Sequence, residues 1–111
     1  MTRLEARLWL AQRATAVILA ACVAVHLVTI VLAVRSGLDA QAILARTRGS
    51  VAVAAFYAVF VLAAAIHGAI GLRTIAREWL RWERGVGIAA VVAALALAVL
   101  GLRAVAAVVI A

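Results

Sequence analysis

Two histidines, His26 and His67, stand inside long apolar runs of the chain. An ionisable side chain at membrane depth is costly, and such a residue points to function with a partner. For a neutral imidazole the partner is a haem iron, a proton path or a carbonyl one turn away. The apolar runs contain no carboxylate, which weakens a proton relay or carboxylate-driven transport. Axial ligation of haem is the best chemical fit. For either histidine the competing reading is a structural hydrogen bond between helices.

Helix periodicity gives each histidine its neighbours. At about 100° per residue, His67 shares a face with Phe56, Phe60, Ala64, Gly71 and Thr74, aromatic and small residues suited to a flat porphyrin. By the same count His26 shares a face with Gln12, Thr15, Leu19 and Cys22. The two histidines differ in depth by roughly 10 Å. Two ligands of one haem iron lie only about 4 Å apart, so these two do not clamp a single haem. Each needs a second ligand from elsewhere, which implies a partner subunit. Arg13, beside Gln12 and Thr15, either snorkels to the interface or donates to a quinone carbonyl or haem propionate, and Thr15 is a further candidate for that quinone or propionate contact. Arg103 carries the same pair of readings, outer headgroups or a propionate.

The elements that must hold these residues are apolar helices. Of 111 residues, 70% are hydrophobic, and there is no Pro. That leaves too little polar surface to face water on all sides, and lipid is the solvent that resolves it. Runs over about 8–34, 51–72 and 86–111 each reach the roughly 20 residues needed to cross a bilayer. The expected fold is all-α, an integral membrane bundle of three transmembrane helices forming one anchor domain over 1–111. The connector from Arg35 to Gly49 has room for a short amphipathic helix. The second connector, Arg73 to Gly85, reads as a helical extension of the second span that breaks near Gly85. Ala63-Ala64-Ala65, Gly68, Gly71 and Gly87 allow close helix packing.

The net charge of +7 comes from eleven Arg against four acids. In a soluble chain that balance would suggest nucleic acid; here the Arg flank apolar runs and set orientation, and no nucleic-acid partner is expected. Seven Arg lie at the amino terminus and second connector and four on the other side, favouring a cytoplasmic amino terminus. The first run is long, carries a His and lacks a clear cleavage site, so it reads as a span and not a signal peptide. The lone Cys22 excludes an intrachain disulfide.

The run His67-Gly68-Ala69-Ile70-Gly71-Leu72-Arg73, followed by Glu78-Trp79, resembles the second-span motif of succinate dehydrogenase and fumarate reductase membrane anchors. That motif is His, three residues, Gly, an apolar residue and often Arg, then an acid–aromatic pair. Gln12-Arg13-Ala14-Thr15 is similar to the family's opening, where Arg follows His or Gln. The resemblance covers nearly the whole chain. It implies a cytochrome b anchor in the bacterial cytoplasmic membrane. Such an anchor is not catalytic alone and holds a flavoprotein and an iron–sulfur subunit at the cytoplasmic face. It binds haem b and helps pass electrons between iron–sulfur centres and quinone, with FAD and the clusters confined to those partners. The resemblance maps the haem ligand onto His67, the quinone-site Arg onto Arg13 and the quinone-contacting aromatic onto Trp79. A first-span His such as His26 matches two-haem members, and a second membrane-anchor subunit would supply the remaining ligands. The chain departs from the pattern at Trp9, where the family has Ser, and at Trp79, an indole in place of a phenol. Two other functions stay open: a haem-free anchor or assembly subunit, and a small multidrug-type transporter. The latter class usually has four spans and a first-span Glu.

Overall fold

A backbone surrounded by lipid must satisfy its own hydrogen bonds, and an α-helix does so within one segment. In the computed structural model, which describes residues 1–110, each apolar run forms such a helix. They are α1 (Arg3–Arg35), α3 (Val51–Trp79) and α4 (Val86–Val109), with a short α2 (Ala40–Thr47) between the first two. The three long helices have the length and hydropathy to cross a membrane. The expected all-α membrane bundle is the observed one. Of the third run, Ala111 lies outside the described residues.

Two helices outrun their apolar cores. α1 starts at Arg3, ahead of the apolar run, because Thr2 and Glu5 close a capping box. The Thr2 hydroxyl accepts from the Glu5 N–H at 3.1 Å, and the Glu5 carboxylate accepts from the Thr2 N–H at 2.9 Å. α3 continues past Leu72 to Trp79, as the charged second connector predicts. Its 29 residues span about 44 Å, well over the roughly 30 Å of a hydrocarbon core. The start of α1 and the end of α3 therefore project together at one end of a bundle measuring 48 × 23 × 23 Å. The α3 extension stops where Leu80 and Trp82 both donate N–H to the Ala76 carbonyl, at 3.2 and 3.1 Å. Arg81 then takes φ 53° and Gly85 φ 79°, and the chain re-enters the membrane as α4.

At the opposite end α2, the short helix expected in the first connector, begins at Asp39, whose carboxylate accepts from the Gln41 N–H at 3.2 Å. The last carbonyls of any helix lack intrahelical donors. Those of α4 are met from this connector. The Thr47 hydroxyl donates to the Val108 carbonyl at 2.7 Å, and the Gly49 N–H donates to the Val109 carbonyl at 2.8 Å.

α3 is the central helix, packed antiparallel against α1 on one side and α4 on the other. Its buried residues are Ala63, Ala65 and Ala69. Small side chains suit a bundle whose helices gain nothing from hiding apolar surface from lipid. Glycine matters most at Gly101 on α4. A Cβ there would lie 2.9 Å from Val61 Cγ2 and 3.2 Å from Val61 Cβ on α3. Of the other glycines singled out in the sequence, Gly68 faces Leu97 of α4 and Gly71 faces Gln12 of α1, while a Cβ at Gly87 would meet nothing within 4 Å. Large apolar side chains such as Val17, Leu62 and Leu95 point outward, toward the space lipid occupies.

Candidate functional site

The antiparallel pairing of α1 with α3 fixes what each intramembrane polar residue meets. Thr15 on α1 stands level with His67 on α3, its Oγ1 3.2 Å from His67 Nδ1. Further along, His26 on α1 stands level with Tyr57 on α3, its Nδ1 2.9 Å from the Tyr57 hydroxyl. Eleven residues of α1 separate the two levels, roughly 16 Å along the axis. That is more than the roughly 10 Å the sequence suggests, and it strengthens the conclusion that the histidines do not share one iron.

Where α1 and α3 project beyond the apolar core they leave a cleft of about 900 Å³. Trp9, Gln12, Arg13, His67, Gly71 and Arg73 are among the residues that line it. Gly71 faces Gln12 across the α1–α3 contact, where a Cβ would lie 3.6 Å from Gln12 Nε2, an ordinary contact distance. Gln12 Oε1 is buried and has no hydrogen-bond partner, which marks it as an acceptor awaiting a donor. The Arg13 guanidinium lies over the Trp9 ring, 5.0 Å from its centroid, within cation–π range. Trp9 therefore supports Arg13 at the position where the family pattern has Ser. Among the described residues neither Arg13 nor Arg73 pairs with a carboxylate, whereas Arg77 reaches Glu5 at 3.8 Å. The cleft mouth thus offers guanidinium groups to an anion or a carbonyl.

His67 lines this cleft with Nδ1 engaged by Thr15 and makes no other side-chain hydrogen bond among the described residues. Its remaining nitrogen, Nε2, has no hydrogen-bond partner among the described residues. Among those residues there is no group of three or more His, Cys, Asp or Glu able to hold a bare metal ion. A haem needs less from the protein, because its porphyrin supplies the equatorial nitrogens and a single imidazole can be an axial ligand.

The other residues singled out in the sequence fall elsewhere. Thr15 is buried, 7% exposed, and touches His67 instead of lining the cleft. His26 meets the rings of Tyr57 and Phe60 edge-on, each at 5.5 Å between centroids. Of the aromatic wall expected beside His67, Phe60 stands beside His26 instead, since it is seven residues, about 10 Å, from His67 along α3. Trp79 is 82% exposed at the end of α3 and does not line the cleft, although its neighbour Glu78 does. Arg103 is exposed on α4, two residues beyond the Gly101–Val61 contact and away from the cleft. Sequence reasoning missed Tyr57; only the α1–α3 register reveals it as the partner of His26.

The family model for the succinate dehydrogenase/fumarate reductase transmembrane subunit matches residues 1–110. No curated protein and no solved structure matches the chain. With a match along that whole length and a multi-pass bundle of three apolar helices beneath it, the chain belongs to the succinate dehydrogenase/fumarate reductase transmembrane subunits.

Proposed function

We propose that this subunit holds haem b on His67 and helps pass electrons between the iron–sulfur centres of a partner and membrane quinone. The observation that carries this reading is the state of His67: Nδ1 is bonded to Thr15 and Nε2 is unengaged beside a cleft. A ligating histidine ordinarily has its second nitrogen tied to the protein in this way. Haem, when bound, supplies a one-electron relay. Around it the chain's own residues do the positioning. Arg13, steadied by Trp9, and Arg73 offer donors to propionates or to a quinone carbonyl. Gln12 adds an amide whose oxygen is unpartnered. The exposed Trp79 and Arg103 are surfaces for partner subunits or headgroups in this reading, and not parts of the cleft.

The orientation follows the Arg distribution, with the amino terminus and the end of α3 on the cytoplasmic side of a bacterial membrane. The flavoprotein and iron–sulfur subunits, which carry FAD and the clusters, then dock at the end where the cleft opens. A second membrane anchor would supply the remaining ligand to the haem.

For His26 a specific observation favours the structural reading over a second haem. Tyr57 makes no hydrogen bond except that to His26 Nδ1 among the described residues. In this reading the phenol donates its proton to that nitrogen, which places the imidazole proton on Nε2. A protonated Nε2 does not ligate iron, so His26 serves as an interhelix bridge.

A reduced-minus-oxidised spectrum of the complex purified through this chain tests the proposal. A b-type haem band with copurifying flavoprotein and iron–sulfur subunits is expected. Copurification without haem would favour the haem-free anchor instead.

A further inference from the structure

We infer that Thr15 is a positioning residue for His67, fixing which imidazole nitrogen carries the proton and raising the basicity of the other; this rests on His67 being the haem ligand. The Thr15 hydroxyl has one proton and two backbone acceptors on its own helix, the Ala11 carbonyl at 2.7 Å and the Gln12 carbonyl at 3.2 Å. With that proton directed down α1, Oγ1 can only accept, and what it accepts is the Nδ1 proton of His67 at 3.2 Å. The Nδ1–H tautomer leaves the lone pair on Nε2. Pulling on the Nδ1 proton makes Nε2 a stronger donor to iron, the usual effect of a second hydrogen-bond partner on a ligating histidine. Stronger donation favours ferric over ferrous haem and so lowers its potential. Thr15 is buried at 7% exposure, which shields the bond from solvent on the α1 side. Its position on α1 also makes the ligand's geometry depend on α1–α3 packing. Thr15 thereby takes a role distinct from the quinone or propionate contact its sequence neighbourhood suggests.

The test is redox titration and haem quantification of the purified complex carrying Thr15→Val, which keeps the volume and removes the acceptor, beside Thr15→Ser, which keeps it. Thr15→Val is expected to raise the haem midpoint potential and weaken haem retention roughly tenfold or more. Thr15→Ser is expected to restore both. Thr15→Ala serves in the same comparison if the valine variant does not assemble. Wild-type potential and haem content in an assembled Thr15→Val or Thr15→Ala complex would overturn the inference, as would equal effects from serine and valine. A His67→Ala complex separates the two levels. If it loses haem while Thr15→Val is silent, only the role of Thr15 fails. If it keeps haem, the ligand assignment fails as well.

Discussion

Nδ1 of His26 on α1 lies 2.9 Å from the hydroxyl of Tyr57 on α3, joining the two helices far from the cleft. Hydrogen bonds between membrane helices contribute about 0.5–2 kcal/mol. Tyr57→Phe is expected to destabilise the subunit by that amount, measured as the midpoint of thermal unfolding of the complex in mild detergent. The haem spectrum is expected to stay as in wild type. A changed haem band in Tyr57→Phe would make His26 a ligand and restore the two-haem reading.

α3 and α4 pack tightly at Gly101 and Val61, where a new Cβ would collide with Val61 Cγ1 and lie 2.9 Å from Val61 Cγ2. Valine is stiff at χ1 and cannot swing its methyls aside. Gly101→Ala is expected to cost about 1–3 kcal/mol, the usual range for overpacking. Adding Val61→Ala should return most of the loss. Thermal midpoints of the single and double variants measure the coupling, and additive losses would show that the two residues do not share the contact.

The cleft offers a third test. Arg13 rests on the Trp9 ring at 5.0 Å, a contact of about 0.5–1 kcal/mol where exposed. Trp9→Leu is expected to weaken quinone use several-fold while leaving haem content intact, and Arg13→Ala is expected to weaken it further. Steady-state kinetics with a soluble quinone analogue reads both. Unchanged quinone kinetics in Arg13→Ala would remove Arg13 from the quinone site.

At the projecting end the cap and the ion pair should differ in weight. Thr2→Ala removes the hydroxyl that accepts from Glu5 N–H, and loss of such a cap costs typically about 1 kcal/mol. Arg77→Gln breaks only the 3.8 Å pair with Glu5, whose side chains are 37% and 42% exposed. That change should leave the unfolding midpoint close to wild type, since an exposed pair is screened by solvent. Unfolding midpoints at low and high salt compare the two.

Composition made the membrane class and the three spans legible, because an apolar run in lipid has helix as its only open form. The short connector helix and the extension of α3 past Leu72 were legible too, from charge placement, although α3 stops at Trp79 and not near Gly85 as expected. His67 and Arg13 stood out as polar residues beside apolar runs, and both line the cleft. Register between helices was not legible. A helical wheel places Thr15 on the same stripe as His26, yet the antiparallel offset pairs it with His67 and gives His26 to Tyr57. The same offset sets the rings of Tyr57 and Phe60 beside His26. Trp79 follows the family's spacing, but the exposed end of α3 carries its side chain away from the cleft.

The central claim is that His67 ligates haem through Nε2. The most direct measurement is the reduced-minus-oxidised spectrum of the assembled complex carrying His67→Ala, set beside His26→Ala and wild type. The expected result is loss of the b-type band in His67→Ala with the flavoprotein and iron–sulfur subunits still bound, and its retention in His26→Ala. A full b-type band in the assembled His67→Ala complex would contradict the claim.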